Sequence, residues 1–495
     1  MTVRISHVSF IGSPFRVYRR EIKIFVRQKH LLTSNIISLE ELRNSKMDRL
    51  PFRCVLLLSL CALLAAAPIV WSAEANGAIY IRADGTVDGT DKIQREGNVY
   101  TFTGNISGSI VVERDDVVVD GAGYGLQGTR IGAGINLMGR TNVTVKNIEI
   151  SNFFYGIYLN SSLNNSLSNN NVRENLNGIY LSASSNNTIL GCNITENSSS
   201  GVWFRCSSNN DINENRITEN GQDGIWLSCS SDNNRVSGNT VEANAYGIRI
   251  DDYSNNMLRN NELIDNVCNF GVFGSLLPEF VQDIDESNTV NGKPVYYWVN
   301  RQDAAVPPDA CYVALVNCSG IAVQNLNLSN NGQGLLLAST TESSITQNNI
   351  TANIHGIYMC GSANNTVSGN NITRNAANGI YLYYSQNNTF FHNNFIDNTT
   401  PVYDVGDPSN IWDNGVEGNH WSNYEEKYPN ATELDNSGIW NTPYIIDGNN
   451  QDNHPLVNTI PEFPSWIILP LLITATLLIL ICKQRLTKQQ ATDRQ

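Results

Sequence analysis

Gly156, Gly178, Gly201, Gly224, Gly247 and Gly271 are each followed by a branched apolar residue and stand 22, 23, 23, 23 and 24 residues apart; Gly334, Gly356 and Gly379 resume the pattern at 22 and 23. A period this constant excludes an ordinary globule and leaves a solenoid, in which each copy buries its apolar face only against its neighbours. One copy alternates apolar and polar residues around Ile179 and Leu181, passes a Ser/Asn turn, and shows two more apolar positions at Ile189 and Ile194. These stretches are too short for helices and rich in β-formers. The unit is a coil of short strands. Coils stacked about 4.8 Å apart place like residues in columns and join their inner faces into one apolar core.

The columns explain the asparagines. Two residues before the last apolar position of each copy stand Asn170, Cys192, Asn215, Asn239, Asn261, Asn348, Asn370 and Asn393; three after it stand Asn175, Asn197, Asn220, Asn244, Asn266, Asn353, Asn375 and Asn398. An amide both donates and accepts, so stacked asparagines form a ladder. Aspartates could not, because two carboxylates about 5 Å apart repel by about 3 kcal/mol at an effective dielectric of 20. Asn193, Asn197, Asn371 and Asn398 also lie in N-x-[ST] sequons, but the repeat alone generates most such matches, and sugar is not expected on ladder positions.

Composition sets the class of partner. With 41% hydrophobic and 16% charged residues the chain has the makings of a folded protein. A net charge of -14 and a pI near 4.9 offer no basic face to a phosphate backbone, so nucleic acid is excluded as a partner. The termini carry addresses. Residues 1–46 read as an upstream extension, and residues 47–75 as a secretory signal, with Arg49 and Arg53 before an apolar run and Ala73 and Ala75 at the cut. The uncharged span Phe463 to Cys482 is long enough to cross a bilayer, and Lys483, Arg485 and Lys488 after it place a short tail, 483–495, in the cytosol. The protein is thus expected on the extracellular face of a membrane, held by a single C-terminal helix. The PEF opening of that span resembles the sorting and anchoring segments of archaeal surface proteins.

Of ten cysteines, Cys54 and Cys61 leave with the signal and Cys482 lies in the anchor, so seven face outward and at least one is unpaired. Cys206 and Cys229, at equivalent places in successive copies, are the best candidate disulfide.

The repeat, the N-terminal stretch "IYIRADGTVDGTDKIQREGNVYTFTGNISGSIVVERDDVVVDGAGYGLQG" and the exit motifs "GNHWSNY" and "NTPYIIDGNNQDNHPL" together resemble the NosD-like, CASH-type β-helix proteins from about Ile79 to Leu456. The resemblance implies an all-β, right-handed, single-stranded parallel β-helix of about ten coils, capped at both ends. Its expected organisation is an N-terminal cap with the first coils (76–130), a first block (131–273), an enlarged coil around "SNTVNGKPVYYWVN" (274–319), a second block (320–400), a C-terminal cap (401–459) and a transmembrane anchor (460–482).

Strand alternation puts the residue two after each glycine on the outside: Tyr158, Tyr180, Trp203, Trp226, Arg249 and Phe273, then Tyr358 and Tyr381. Four after each glycine, on the same face, come Asn160, Ser182, Arg205, Ser228 and Asp251. Rings flanked by polar and cationic groups on a rigid sheet suit a polysaccharide, so Tyr158, Tyr180, Trp203, Arg205, Trp226, Arg249 and Asp251 are the candidate ligand-binding set; the plain alternative is that the rings only stabilise the sheet. An acidic stripe, Glu174, Glu196 and Glu219, is more often a solvated edge than a catalytic pair. Glu196, Glu219 and Asp251 are the weak catalytic candidates. "YGIRIDDYS" resembles the Tyr-Gly-x-Asp-Pro-His-Asp signature of mannuronan epimerases only in part, lacking its Pro and His, so non-catalytic binding is the leading reading over a lyase or hydrolase and over a plain structural stalk.

The family resemblance also implies copper and the maturation of a copper enzyme, yet His355, Met359 and Cys360 are the one local cluster of soft ligands. Asp447, Asn449 and Asp452 are the oxygen-rich candidates for calcium, without EF-hand spacing. No resident cofactor is expected.

Overall fold

The computed structural model describes residues 77–252, 255–406 and 409–461. The upstream extension, the signal and the anchor lie outside the described residues. Among those described, no helix is long and apolar enough to cross a membrane.

The chain is a parallel β-solenoid of about 14 turns with almost no helix. That is more than the ten coils expected, because the glycine marker is missing from the N-terminal coils: Ile79–Ile81 and Ile110–Val112 already pair in parallel with each other and lead into the same sheet. A typical coil runs through a long strand, Asn177–Ser182, and two short ones, Thr188–Leu190 and Asn193–Thr195. Ile179, Leu181, Ile189 and Ile194 point into the lumen and are fully buried. The glycine that marks each coil is required by close approach. A Cβ on Gly178 would lie 2.5 Å from the carbonyl oxygen of Gly201 and 3.0 Å from Nδ2 of Asn197.

Asparagine columns bind the coils. Nδ2 of Asn215 donates to Oδ1 of Asn239 at 3.0 Å and to the carbonyl of Ile189 at 2.9 Å, while the backbone N–H of Asn215 donates to the same Oδ1. Each buried amide is thereby saturated, which removes the cost of burying it. The columns of Asn170, Asn215, Asn239 and Asn261 and of Asn348, Asn370 and Asn393 are built this way. Cys192 interrupts the first, receiving only a 4.0 Å contact from Nδ2 of Asn170. A further column, Asn165, Asn187, Asn210, Asn234 and Asn256, escaped the sequence reading, as did Ser162, Ser184, Ser207 and Ser231 beside it. Their signal was present in the recurrent S-x-x-N spacing. Cys206 and Cys229 are joined by a disulfide, with Cα atoms 4.7 Å apart; Cys192, Cys268, Cys311, Cys318 and Cys360 are buried.

The two blocks do not stack in phase. In the first, the long strands form one sheet ending at Cys268–Phe273. Thr289–Val290 then stacks on the second short sheet, on Glu262–Ile264, and turns back as a hairpin into Lys293–Val299, on which the long strands of the second block build. A 15-stranded sheet therefore joins the short strands of one block to the long strands of the next. The end of the first long sheet meets the corner of the second block, where Gly332 N–H donates to the carbonyl of Phe270 at 2.8 Å and Gln333 Nε2 to that of Val272 at 2.9 Å. The segment after it, with the 3-10 turn Leu277–Phe280, crosses the outer face of the second long sheet. The result is a step.

The exit motifs form the C-terminal cap. Asn419 continues the Asn393 column, and Asp452, fully buried, ends it by accepting from the Asn419 N–H at 2.7 Å and from Trp421 Nε1 at 2.9 Å. Trp421 lies between Phe395 and Tyr444, at 4.4 and 4.1 Å between ring centroids.

Candidate functional site

The outward rings of the first block form a continuous stack. Register places Tyr158 beside Tyr180, Tyr180 beside Trp203 and Trp203 beside Trp226. Trp203 and Trp226 are 4.8 Å apart and within 6° of parallel. Contact between flat carbon surfaces needs only about 3.5 Å, so the rings must lean to stay in touch at strand spacing. Tyr158, Trp203 and Trp226 keep part of their surface open along this stack. Tyr155, which the sequence reading passed over, extends the stack, with centroids 5.2 Å from Tyr158 and 4.9 Å from Tyr180. It sits just before a glycine, in a column of mixed chemistry that also holds Ala133, Asn177, Asp223, Tyr246 and Cys268, so no periodic signal marks it. Tyr180 is buried within the stack, Tyr158, Trp203 and Trp226 are half-buried, and Arg205 is exposed beside them.

Towards the step the stack ends in charge. Arg249 holds Asp251 with two contacts, Nε to Oδ1 at 2.9 Å and Nη2 to Oδ2 at 2.8 Å, and Trp226 Nε1 donates to the same carboxylate at 2.9 Å. The guanidinium lies 5.1 Å from the Trp226 ring and 5.6 Å from that of Phe273. Asp223 is buried alongside. Loss of hydration pushes its carboxyl up to about 6, against the pull of Arg249. On the far side of the step stand His355, Tyr358 and Tyr381, with Phe273 6.3 Å from the His355 ring. Asn378 Nδ2 donates to His355 Nδ1 at 3.0 Å, which leaves the proton on Nε2, and burial lowers this imidazole to about 4.

The structure separates several of the expected groups. Tyr358 and Tyr381 do face out of their block, but both rings are buried: the crossing segment covers Tyr358, whose Oη donates to the Gly274 carbonyl at 2.9 Å, and Tyr381 packs among Tyr358, His355 and Tyr403. Their expected role as an exposed surface is thereby corrected. Glu174, Glu196 and Glu219 occupy left-handed turns with φ of 58°, 54° and 56°. Glu174 pairs with Arg173, while Glu196 and Glu219 are exposed on a solvated edge away from the ring stack.

A family model described as "Periplasmic copper-binding protein (NosD)" matches residues 86–291 and 309–426, more than half of the chain. The chain belongs to the NosD family. Among solved structures of similar fold are the Dettilon tailspike protein (16% identity, TM-score 0.30, 61% of each chain covered) and the catalytic domain of a GH87 α-1,3-glucanase in complex with tetrasaccharides (14%, 0.32, 71% of this chain and 68% of that one). A third is the A-module of the Azotobacter vinelandii mannuronan C-5 epimerase AlgE4 (15%, 0.30, 62% of this chain and 91% of that one). The chain spans about three-fifths of the tailspike's length. These likenesses are likenesses of fold. No curated protein matches the chain.

Copper, which the family description implies, finds no matching donor set among the described residues of this NosD chain. Met359 points into the lumen among core side chains, whereas Cys360 faces outward with its thiol on the Ser275 carbonyl at 3.3 Å. His355 is walled by rings and held by Asn378, so the three do not converge. No group of three or more His, Cys, Asp or Glu side chains able to hold a metal occurs among the described residues. The calcium candidates are committed elsewhere too. Asp447 accepts from the N–H groups of Asn449 and Asn450 in its own turn, and Asp452 caps the asparagine column.

Proposed function

We propose that this NosD protein is exported, held at the membrane by residues 463–482, and binds a neutral polysaccharide along the ring stack of the first block, without turning it over. The leaning column from Tyr155 to Trp226 carries the reading: it is an apolar strip several coils long, partly open to solvent, on a sheet too rigid to collapse. Sugar C–H faces would lie against the ring faces, and hydroxyls would reach Asn160, Ser182, Arg205 and Asp251, which share the outward surface. Charge favours a neutral chain, because Arg249 is already held by Asp251 and has Asp223 beside it. Of the two cations beside the stack only Arg205 is not held by a carboxylate of the described residues, so a uronate chain would find a single positive partner there.

Turnover is the second reading. Asp223, held near neutrality beside Asp251, is the one observation in its favour. One experiment separates the two. Retention on an array of neutral and uronate glycans is expected to favour neutral chains and to drop at least tenfold in Trp203→Ala with Trp226→Ala, with the far-UV β signal intact. Unchanged retention would return the stack to a purely stabilising role. Release of reducing ends, stopped by Asp251→Asn, would make the protein a hydrolase.

A further inference from the structure

At the corner between the long strand and the first short strand, most coils turn through an asparagine in the left-handed region: Asn142, Asn164, Asn186, Asn209, Asn233 and Asn255 in the first block, Asn364 and Asn387 in the second, with φ between 55° and 60°, while Gly320 and Glu342 take the same place in two coils of the second block. Asparagine tolerates this conformation, so its presence follows from the turn. The residue two places on does not. In successive coils that outward position is Ser166, Thr188, Asp211, Arg235 and Met257, side by side in register, and in the second block Thr366 and Thr389. A hydroxyl there is not demanded by the fold, yet it completes an N-x-[ST] sequon at Asn164, Asn186, Asn364 and Asn387.

Exposure together with a side-chain amide that makes no hydrogen bond sets these four apart from the other sequons of the coils, since Asn105, Asn142, Asn317 and Asn327 are exposed as well but engaged. Asn197 is 1% exposed within its ladder. Asn142 donates to Asp116, Asn193 to Asn171, Asn317 to Asn300 and Asn349 to Asn327, and Asn398 donates to the Ile372 carbonyl. Asn105 accepts from the Gly125 N–H, Asn160 from the Ser161 hydroxyl, Asn371 from Asn394 and Asn327, itself in a sequon, from Asn349. The side chains of Asn164, Asn186, Asn364 and Asn387 are exposed, and their amides make no hydrogen bond to any described residue.

The geometry points to this corner as a line of N-glycosylation sites, an assignment that rests on the export half of the proposed function. Transfer forms a bond from Nδ2 to C1 of the sugar and breaks the bond from C1 to the phosphate of a lipid-linked oligosaccharide. The amide gives up one proton, and the lipid phosphate leaves with the electron pair. Asn164 and Asn186 sit in adjacent coils, as do Asn364 and Asn387, about 4.8 Å apart, which is too close for two attached sugars. Each pair therefore carries one glycan per molecule.

Glycopeptide mass spectrometry on the full chain from the membranes of its native host tests this, with the mature N-terminus read from the same sample. The expected result is a start after Ala75, summed occupancy near one across each pair, and no sugar on Asn197. Asn164→Gln is expected to raise occupancy of Asn186 rather than abolish it. Bare corner asparagines in a protein that starts after Ala75, or sugar on the isolated cap sequon Asn430 alone, would overturn the corner assignment and leave export standing. An uncleaved leader on an unmodified chain would overturn both.

Discussion

The two blocks carry the same outward signature, an aromatic two residues after the marker glycine, and put it to opposite uses. In the first block Tyr158, Trp203 and Trp226 stay half-exposed along the stack, with Tyr180 buried between them. In the second, Tyr358 and Tyr381 stack just as closely, at 4.7 Å, but Tyr358 lies beneath the segment from Gly274 to Phe280 and both join the hydrophobic cluster of the first block. Outward-facing is a property of the strand, whereas exposed is a property of what lies over it. The step between the blocks makes the difference, and Tyr246 is wedged into it. A Cβ on Gly271 or Gly332 would fall within 2.0 Å of its hydroxyl, so both positions need glycine.

The sharpest way to break this contrast is to truncate a ring in each block. Tyr358→Ala should cost about 3–5 kcal/mol, as a large buried side chain that also bonds across the step. Trp203→Ala should cost only about 1 kcal/mol, because its neighbours still stack across a partly open face. Equal shifts in the urea midpoint would mean that the second face is not covered.

The next effect is on pH dependence and has opposite signs on the two sides of the step. Asp223 has its pKa raised from 3.8 to about 6, so its contribution to stability is fully present below the lower value and lost as the pH climbs through the higher one. His355 is lowered from 6.5 to about 4, so its contribution is present above 6.5 and lost as the pH falls through 4. At the limits each is worth about 3 kcal/mol. Relative to the parent between those values, Asp223→Asn should make stability rise more steeply with pH, and His355→Gln should make it fall. Slopes that move in the same direction in both variants would show that one of the two groups is not buried as described.

The smallest effect concerns the ladders. The column from Asn348 to Asn419 is unbroken, whereas its counterpart in the first block is interrupted by Cys192. Cys192→Asn should restore the missing amide link and raise stability by about 1 kcal/mol, read by thermal or urea unfolding. Destabilisation would show that the cavity has closed around the thiol.

The glycine period, the asparagine columns and the order Tyr180, Trp203, Trp226 were legible in the sequence, because in a solenoid each coil touches only its neighbours and spacing translates directly into stacking. The Ser162 and Asn165 columns were legible too, but most coils offer two adjacent asparagines, one turned out at the corner and one turned in, such as Asn164 and Asn165, and the pair blurs which of them stacks. The order within a column is thus a local matter, settled by 22 to 24 residues at a time. Which column is buried is not. The bond from Tyr358 to Gly274 spans 84 residues and obeys no period. It exists because one hairpin carries the long strands onto a different sheet, and a displacement of that kind, made once and by non-repeating residues, leaves no rhythm for a sequence to show.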